Sequence, residues 1–233
     1  MTETPAARSV GRPRRTGAAG ADPRREILEA ASRLFAERGY ASTTMTQVAR
    51  AVGLGQSSMY YWFRSKEDLL KALVSANRES LDVAERMGAG DAPAAVRLYA
   101  VLYADVLQMC DGALDFYDLE RAARAQPDVF AEVMDNYARL GEELERIVEA
   151  GVGEGALVAA DARLAVVACL AQTEGAQHRF RTPTPDASGR SAALVTSRDA
   201  ARLAAAAAVR GLLADPAQID EIERLAHEAL AKD

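Results

Sequence analysis

Apolar side chains recur every three or four positions along most of this 233-residue chain, the spacing that lines them up on one side of an α-helix. Asp22 before Pro23 supplies an N-cap and a first-turn proline; Ile27, Ala31, Leu34 and Phe35 then keep the helical period until Gly39 ends it. A second helix begins with Thr43 or Thr44 as its cap, carries Val48, Ala49 and Val52, and stops at Gly53. A third covers about residues 56–63. Ser65 caps a fourth, in which Glu67 and Asp68 stand in the first turn, where the helix dipole favours acids, ahead of Leu69, Leu70, Leu73 and Val74. After a break at residues 88–93 the helical period returns over residues 96–110, 114–124, 127–150, 162–179, 198–213 and 216–231. Strand-like alternation bounded by hairpin turns is absent. The pattern predicts an all-α chain of roughly nine or ten helices. Residues 1–21 are rich in Gly, Ala, Pro and Arg without an apolar period and read as a disordered arm. Residues 182–191, with Pro183, Pro185 and Gly189, read as a mobile surface loop.

Composition narrows the class. A hydrophobic share of 49% is ample for a core. No run approaches the roughly 20 apolar residues of a membrane span, and the N-terminus lacks a secretory apolar core, so a cytoplasmic protein without a membrane partner is expected. Cys110 and Cys169 are each flanked by apolar residues and read as reduced core thiols. His178 and His227 share no ligand spacing with a cysteine or carboxylate, so neither a metal nor a cofactor is expected.

The net charge of −6 hides a division. Through Lys66 the chain holds 11 Lys and Arg against 5 Asp and Glu, and thereafter 17 against 29. No acid occurs between Arg38 and Lys66. The division points to a basic module that meets phosphate, joined to an acidic body that does not.

Within the acid-free segment, residues 43–66 meet the demands of a helix-turn-helix. Such an element needs two short helices crossing steeply, a small residue at the crossing and a turn that accepts positive φ. Ala49 and Gly53 satisfy the last two, and Val48, Val52, Leu54, Met59 and Trp62 are spaced to hold the second helix on the first. The recognition helix would present Gln56, Ser57 and Ser58 to base edges in the major groove. Tyr60 and Tyr61 would extend the polar face and donate to phosphates, and Lys66 would add its charge to a helix N-terminus suited to a phosphate. Thr44, Thr46 and Gln47, at the start of the second helix, complete the expected DNA-facing set. Met59 and Phe63 read as core, while Trp62 fits either core or backbone contact.

The run Thr43-Thr44-Met45-Thr46-Gln47-Val48-Ala49-Arg50-Ala51-Val52-Gly53-Leu54, followed by Met59-Tyr60-Tyr61-Trp62-Phe63-Arg64-Ser65-Lys66-Glu67-Asp68-Leu69-Leu70, closely resembles the signature of the TetR family of bacterial transcriptional regulators. The resemblance covers about residues 22–75. It implies that Thr44, Tyr60 and Lys66 contact phosphates and that Gln56, Ser57 and Ser58 read bases. Gly55 stands where that family often has a capping Ser or Thr. The implied organisation is a basic arm over 1–21, a three-helix DNA-binding domain over 22–75, and a helical ligand-binding and dimerisation domain over 76–233.

Arg12, Arg14 and Arg15 lie in the arm, and Gly11-Arg12-Pro13-Arg14 resembles the core of an AT-hook, which would enter a minor groove. An ordinary basic tail drawn non-specifically to DNA accounts for them equally. For a small-molecule effector, implied by the resemblance and expected to be lipophilic, the candidate pocket residues are Tyr99, Tyr103, Met109, Phe116, Tyr117, Met134, Tyr137 and His178, although aromatic residues at helical spacing also build cores. A homodimer on double-stranded operator DNA is expected, through the helix over 162–179 and the alanine-rich run from Leu203 to Val209, although such runs also serve ordinary packing within a chain. The same residues suit a repressor released by its ligand, an activator, or a constitutive binder. A helical enzyme is disfavoured: there is no clustered His, Cys or carboxylate set, no P-loop, no dinucleotide-binding glycine pattern and no nucleophile elbow.

Overall fold

The structure, a computed structural model, describes residues 22–75, 78–112, 115–182 and 196–231. In chain order its helices are α1 (Pro23–Arg38), α2 (Met45–Ala51), α3 (Gln56–Trp62), α4 (Lys66–Ser75), α5 (Glu79–Gly88), α6 (Ala94–Asp111), α7 (Phe116–Ala125), α8 (Pro127–Gly153), α9 (Ala162–Arg181), α10 (Ser197–Arg210) and, after a 3-10 turn at Pro216–Gln218, α11 (Ile219–Leu230). The all-α expectation holds, with one helix more than the pattern separated: α5 follows α4 before the break at Gly88. Among the described residues the only strand-like pairing is one antiparallel bridge between Leu157 and Leu213. None of the described helices is long and apolar enough to cross a membrane.

The predicted starts hold because side chains satisfy the free N–H groups there. Asp22 accepts from the Arg24 N–H at 3.0 Å, with Pro23 in the first turn. Ser65 accepts from the Asp68 N–H at 3.0 Å, and Asp161 and Thr196 cap α9 and α10 in the same way.

Helix α6 is apolar on nearly every side and correspondingly buried, with α5, α8, α9, α10 and α11 packed around it. Leu98, Tyr99, Leu102, Leu140, Leu144 and Ile147 are among the side chains of the large core this creates. The alanine-rich run of α10 belongs here. Ala201, Ala204, Ala205 and Ala208 are buried, and their small side chains let α10 lie close on α6. Of the two uses open to the run, packing within the chain takes most of it, and Leu203 is left exposed. Cys110 and Cys169 are buried and free, and burial pushes their thiols up to about 12 and about 11.

A second core joins α1–α4 through Ile27, Phe35, Val48, Met59, Leu69 and Leu70, and it does not end at residue 75. Met109, Leu119, Ala123, Phe130 and Val133, from α6, α7 and α8, belong to the same cluster. The basic helices therefore share packing with the acidic body.

Candidate nucleic-acid interface

The element over 43–66 is built from both ends of α2 inward. Thr44 accepts from the Gln47 N–H at 3.3 Å while the Gln47 side chain accepts from the Thr44 N–H at 2.7 Å, a reciprocal capping box. Thr43, the alternative cap, is buried instead; its hydroxyl lies 3.2 Å from the Leu34 carbonyl and 3.0 Å from that of Gly39, tying α2 to the end of α1.

At its far end α2 closes in a Schellman turn. The Leu54 N–H donates to the Ala49 carbonyl at 2.9 Å and the Gly53 N–H to that of Arg50 at 3.2 Å. Gly53 has φ of 69° with no atom near its missing Cβ, so the position demands glycine for its backbone angle rather than for space. Gly55 then begins α3 without a side-chain cap, as its identity implies.

Helix α3 is held from one side only. Met59 is fully buried and Phe63, which ends the helix, nearly so. The other side carries Gln56, Ser57, Tyr60 and Tyr61 at helical positions i, i+1, i+4 and i+5, all exposed, and Arg64 stands exposed just beyond the helix end. Tyr61 is 81% exposed and Tyr60 44%, values too high for a core stripe. Ser58 is half-buried at the flank of this face. Trp62 is 38% exposed and packs edge-on to Tyr61 at 5.3 Å, so it does not serve as the inter-helix anchor that its spacing allowed. Thr46 is exposed on α2. Arg50 and Arg64 are also exposed; the acid-free run was visible in the sequence, but nothing singled out these two guanidinium groups within it.

Two of the expected DNA-facing residues have partners within the chain. Gln47 has its side-chain oxygen committed to the capping box. Lys66 turns inward: its ammonium lies 2.9 Å from the Tyr40 carbonyl, 3.1 Å from that of Thr43 and 3.4 Å from that of Ala41, and 4.2 Å from the centre of the Tyr40 ring. All three N–H donors are thus occupied. The Tyr40 hydroxyl donates to Glu67 at 3.3 Å, and burial, reinforced by the Glu67 charge, pushes its pKa up to about 12. Glu67 is held low chiefly by its own backbone N–H. Lys66 is a clasp that fixes residues 40–43 and hence the Thr44 cap, so a direct phosphate contact would require these bonds to be given up. Lys66→Met is expected to lower stability by about 2 kcal/mol, because charge-assisted hydrogen bonds are lost. The slope of DNA affinity against salt is expected to stay unchanged, whereas loss of a direct phosphate contact would reduce it by about one. Urea unfolding and a salt titration of binding check the two parts.

Arg12, Arg14 and Arg15 lie outside the described residues, as does most of the loop predicted over 182–191.

The expected effector residues are divided by the structure. A cavity of about 240 Å³ lies where α1 and α4 meet α5–α8, and Met109, Phe116 and Tyr137 line it. Tyr99 and Tyr103 do not: they stack on each other at 6.3 Å, and His227 of α11 lies edge-on to both, within the large core. Tyr117 and His178 pack together at 5.4 Å away from the cavity wall, with the His178 Nδ1 2.8 Å from Asp115, while Met134 packs on the second core. The polar lining, Ser32, Arg78, Ser80, Asp105, Gln108, Asp111 and Asn136, was missed. Asp105 was the available signal, a lone acid in the apolar run from Leu98 to Cys110.

Two short helices joined through a left-handed glycine, the second buried on one side and polar on the other, define a helix-turn-helix DNA-binding protein. Comparison with known proteins agrees. Residues 27–73 match the model described as bacterial regulatory proteins, tetR family. The HTH-type transcriptional regulator TtgR of Pseudomonas putida is 36% identical over 69 residues, 30% of this chain and 33% of that protein. The match thus spans about a third of the length of that curated relative. Mycobacterium smegmatis AmtR has a similar structure, with a TM-score of 0.65 and 27% identity over 92% of this chain and 98% of that one. The ketosteroid transcriptional regulator KstR2 of Mycobacterium tuberculosis shares the fold at a TM-score of 0.67, with 21% identity over 87% of this chain and 100% of that one. Residues 27–73 thus carry a DNA-binding domain of the kind that model describes.

Proposed function

We propose that this protein is a cytoplasmic one-component transcriptional repressor that binds operator DNA as a two-fold dimer and is released by a small molecule seated in the cavity. The observation that carries the reading is the outward face of α3, where Gln56, Ser57, Tyr60 and Tyr61 stand exposed in an acid-free stretch, with Arg64 exposed just past the helix end, while Met59 and Phe63 fix the helix from behind. Gln56 and Ser57 suit base edges; Thr44, Thr46, Tyr60, Tyr61, Arg50 and Arg64 suit the flanking phosphates.

A second half-site needs a second copy. Along α9, Leu164, Val167, Ala168 and Ala171 form an exposed stripe at positions i, i+3, i+4 and i+7, and the neighbouring α10 turns Leu203 outward. We assign the dimer surface to this apolar face. The cavity supports release by a ligand: Ser32, Leu73 and Val74 on its wall come from α1 and α4 of the basic module, and the remainder from the acidic body. A ligand that fits better when those helices are displaced shifts the chain away from the DNA-competent arrangement.

Fluorescence anisotropy on a site enriched from random duplexes tests the assignment of roles. Tyr60→Phe is expected to weaken binding about three- to tenfold on all sequences, since a lost hydroxyl–phosphate hydrogen bond carries no base preference. Gln56→Ala is expected to relax preference at one or two base pairs, at about 1–3 kcal/mol of discrimination each. Uniform weakening by both would remove Gln56 from the reading set.

A further inference from the structure

The cavity wall is apolar over much of its surface, through Leu73, Met109, Leu119, Val133 and Leu140, yet Asp105 lies on it at only 2% exposure. The Asp105 Oδ2 accepts from the Gln177 side chain at 3.0 Å, while the Gln177 oxygen has no partner among the described residues. Glu174, one turn earlier on α9, accepts from the Tyr137 hydroxyl. No Lys, Arg or His among the described residues pairs with Asp105. Arg78, also on the wall, is already engaged, with Asp82 at 2.8 Å and Glu85 at 3.4 Å. Even with Ser80 as a second hydrogen-bond partner, the buried carboxyl has no cationic partner and the Gln177 oxygen beside it is unpaired among the described residues, an arrangement that is costly for an ionised acid. Two aromatic rings line the same space: Phe116 and Tyr137, 4.3 Å between centres and inclined at 30°. Ring faces attract cations.

We propose that the cavity takes an organic cation, a protonated amine whose ammonium group lies against Asp105 while its apolar body packs on Phe116, Tyr137 and the aliphatic wall. This rests on the reading of the cavity as the effector site and adds the chemical class of the effector. The amine brings the positive charge that the Asp105 surroundings lack, together with further N–H donors. A neutral carbonyl compound would bring no positive charge, and a carboxylate would meet Asp105 and Asp111 on the wall and Glu174 behind it. The titratable groups facing Asp105 are Glu174 from α9, Tyr137 from α8 and Cys110 from α6 itself. Burial first, and then the Glu174 charge, push Asp105 up to about 7, against hydrogen bonds from Gln177 and Ser80. It is mostly neutral below that pH and ionised above it, so amine affinity should rise with pH.

The test titrates the full-length protein with phenylbutylamine, phenylbutanol and phenylbutyrate, one scaffold in three charge states, by calorimetry at pH 8. The amine is expected to bind at least tenfold more tightly than either relative, and about tenfold more tightly at pH 8 than at pH 6. Asp105→Asn keeps the side-chain shape; it should cost the amine about thirtyfold or more and flatten the pH response, with phenylbutanol unaffected. Equal or tighter binding of the alcohol or the acid overturns the proposal, as does no binding by any of the three or an amine affinity indifferent to Asp105→Asn. Release of a bound DNA duplex, followed by anisotropy in the same titrations, separates the two levels. Asp105-dependent amine binding without release supports the cation site and contradicts the effector reading. Release by the alcohol or acid alone supports the effector reading and contradicts the cation.

Discussion

Changing Leu164 and Val167 together to aspartate is expected to convert the protein from dimer to monomer and to weaken operator binding by about a hundredfold or more. Both side chains already face solvent within one chain, at 66% and 57% exposure, so the monomer loses no packing and its melting should change little. In a two-fold interface each new carboxylate would lie close to its counterpart in the second copy, and desolvated like charges oppose association. The affinity loss follows because two half-sites held by one dimer gain about 10² to 10⁴ over independent binding. Analytical ultracentrifugation reads the first effect and anisotropy on the paired site reads the second. A variant that still sediments as a dimer would move the interface away from α9.

Met59→Ala is expected to abolish specific DNA binding while leaving most of the helical signal in place. Met59 is fully buried and is the one residue buried within α3 itself. Truncating a buried methionine costs about 2–5 kcal/mol, through lost transfer energy and the cavity left behind. Spread over a chain of this size, that corresponds to a fall in melting temperature of roughly 5–15 °C. The consequence for DNA is more severe than for the fold, because α3 spans seven residues and is far too short to stay helical without its anchor. Met59→Leu keeps the volume and should retain binding. Full activity in Met59→Ala would mean that Phe63 and the Schellman turn suffice to position the helix.

The helix-turn-helix was legible in the sequence because each of its constraints falls on adjacent residues. Caps, a left-handed glycine and apolar spacing act within a few positions, and α1 through α3 form as they dictate. Lys66 was not legible in the same way. Its partners lie 23 to 26 residues earlier, and nothing local says whether a long ammonium side chain folds back or reaches outward. Gln47 had a readable signal, since a threonine followed three residues later by glutamine is the capping-box pattern, and that pattern commits its side-chain oxygen to Thr44. The alanine run of α10 illustrates another limit. Small residues announce close approach of helices but not which helix approaches, and here it is α6 of the same chain. The cavity was half legible. Its aromatic members stood out by type, but Tyr99 and Tyr103 share that type while packing beside α11, and only tertiary structure separates the two groups.

In the proposed dimer a second copy presents the same face of α3 to the same duplex. The most direct measurement is selection of bound duplexes from a random pool by the full-length protein. The account predicts enrichment of an inverted repeat whose half-sites lie about one helical turn apart, or a whole multiple of it, with Gln56→Ala altering the base preference inside each half-site. Enrichment of no repeat, or of a single unpaired half-site, would contradict it.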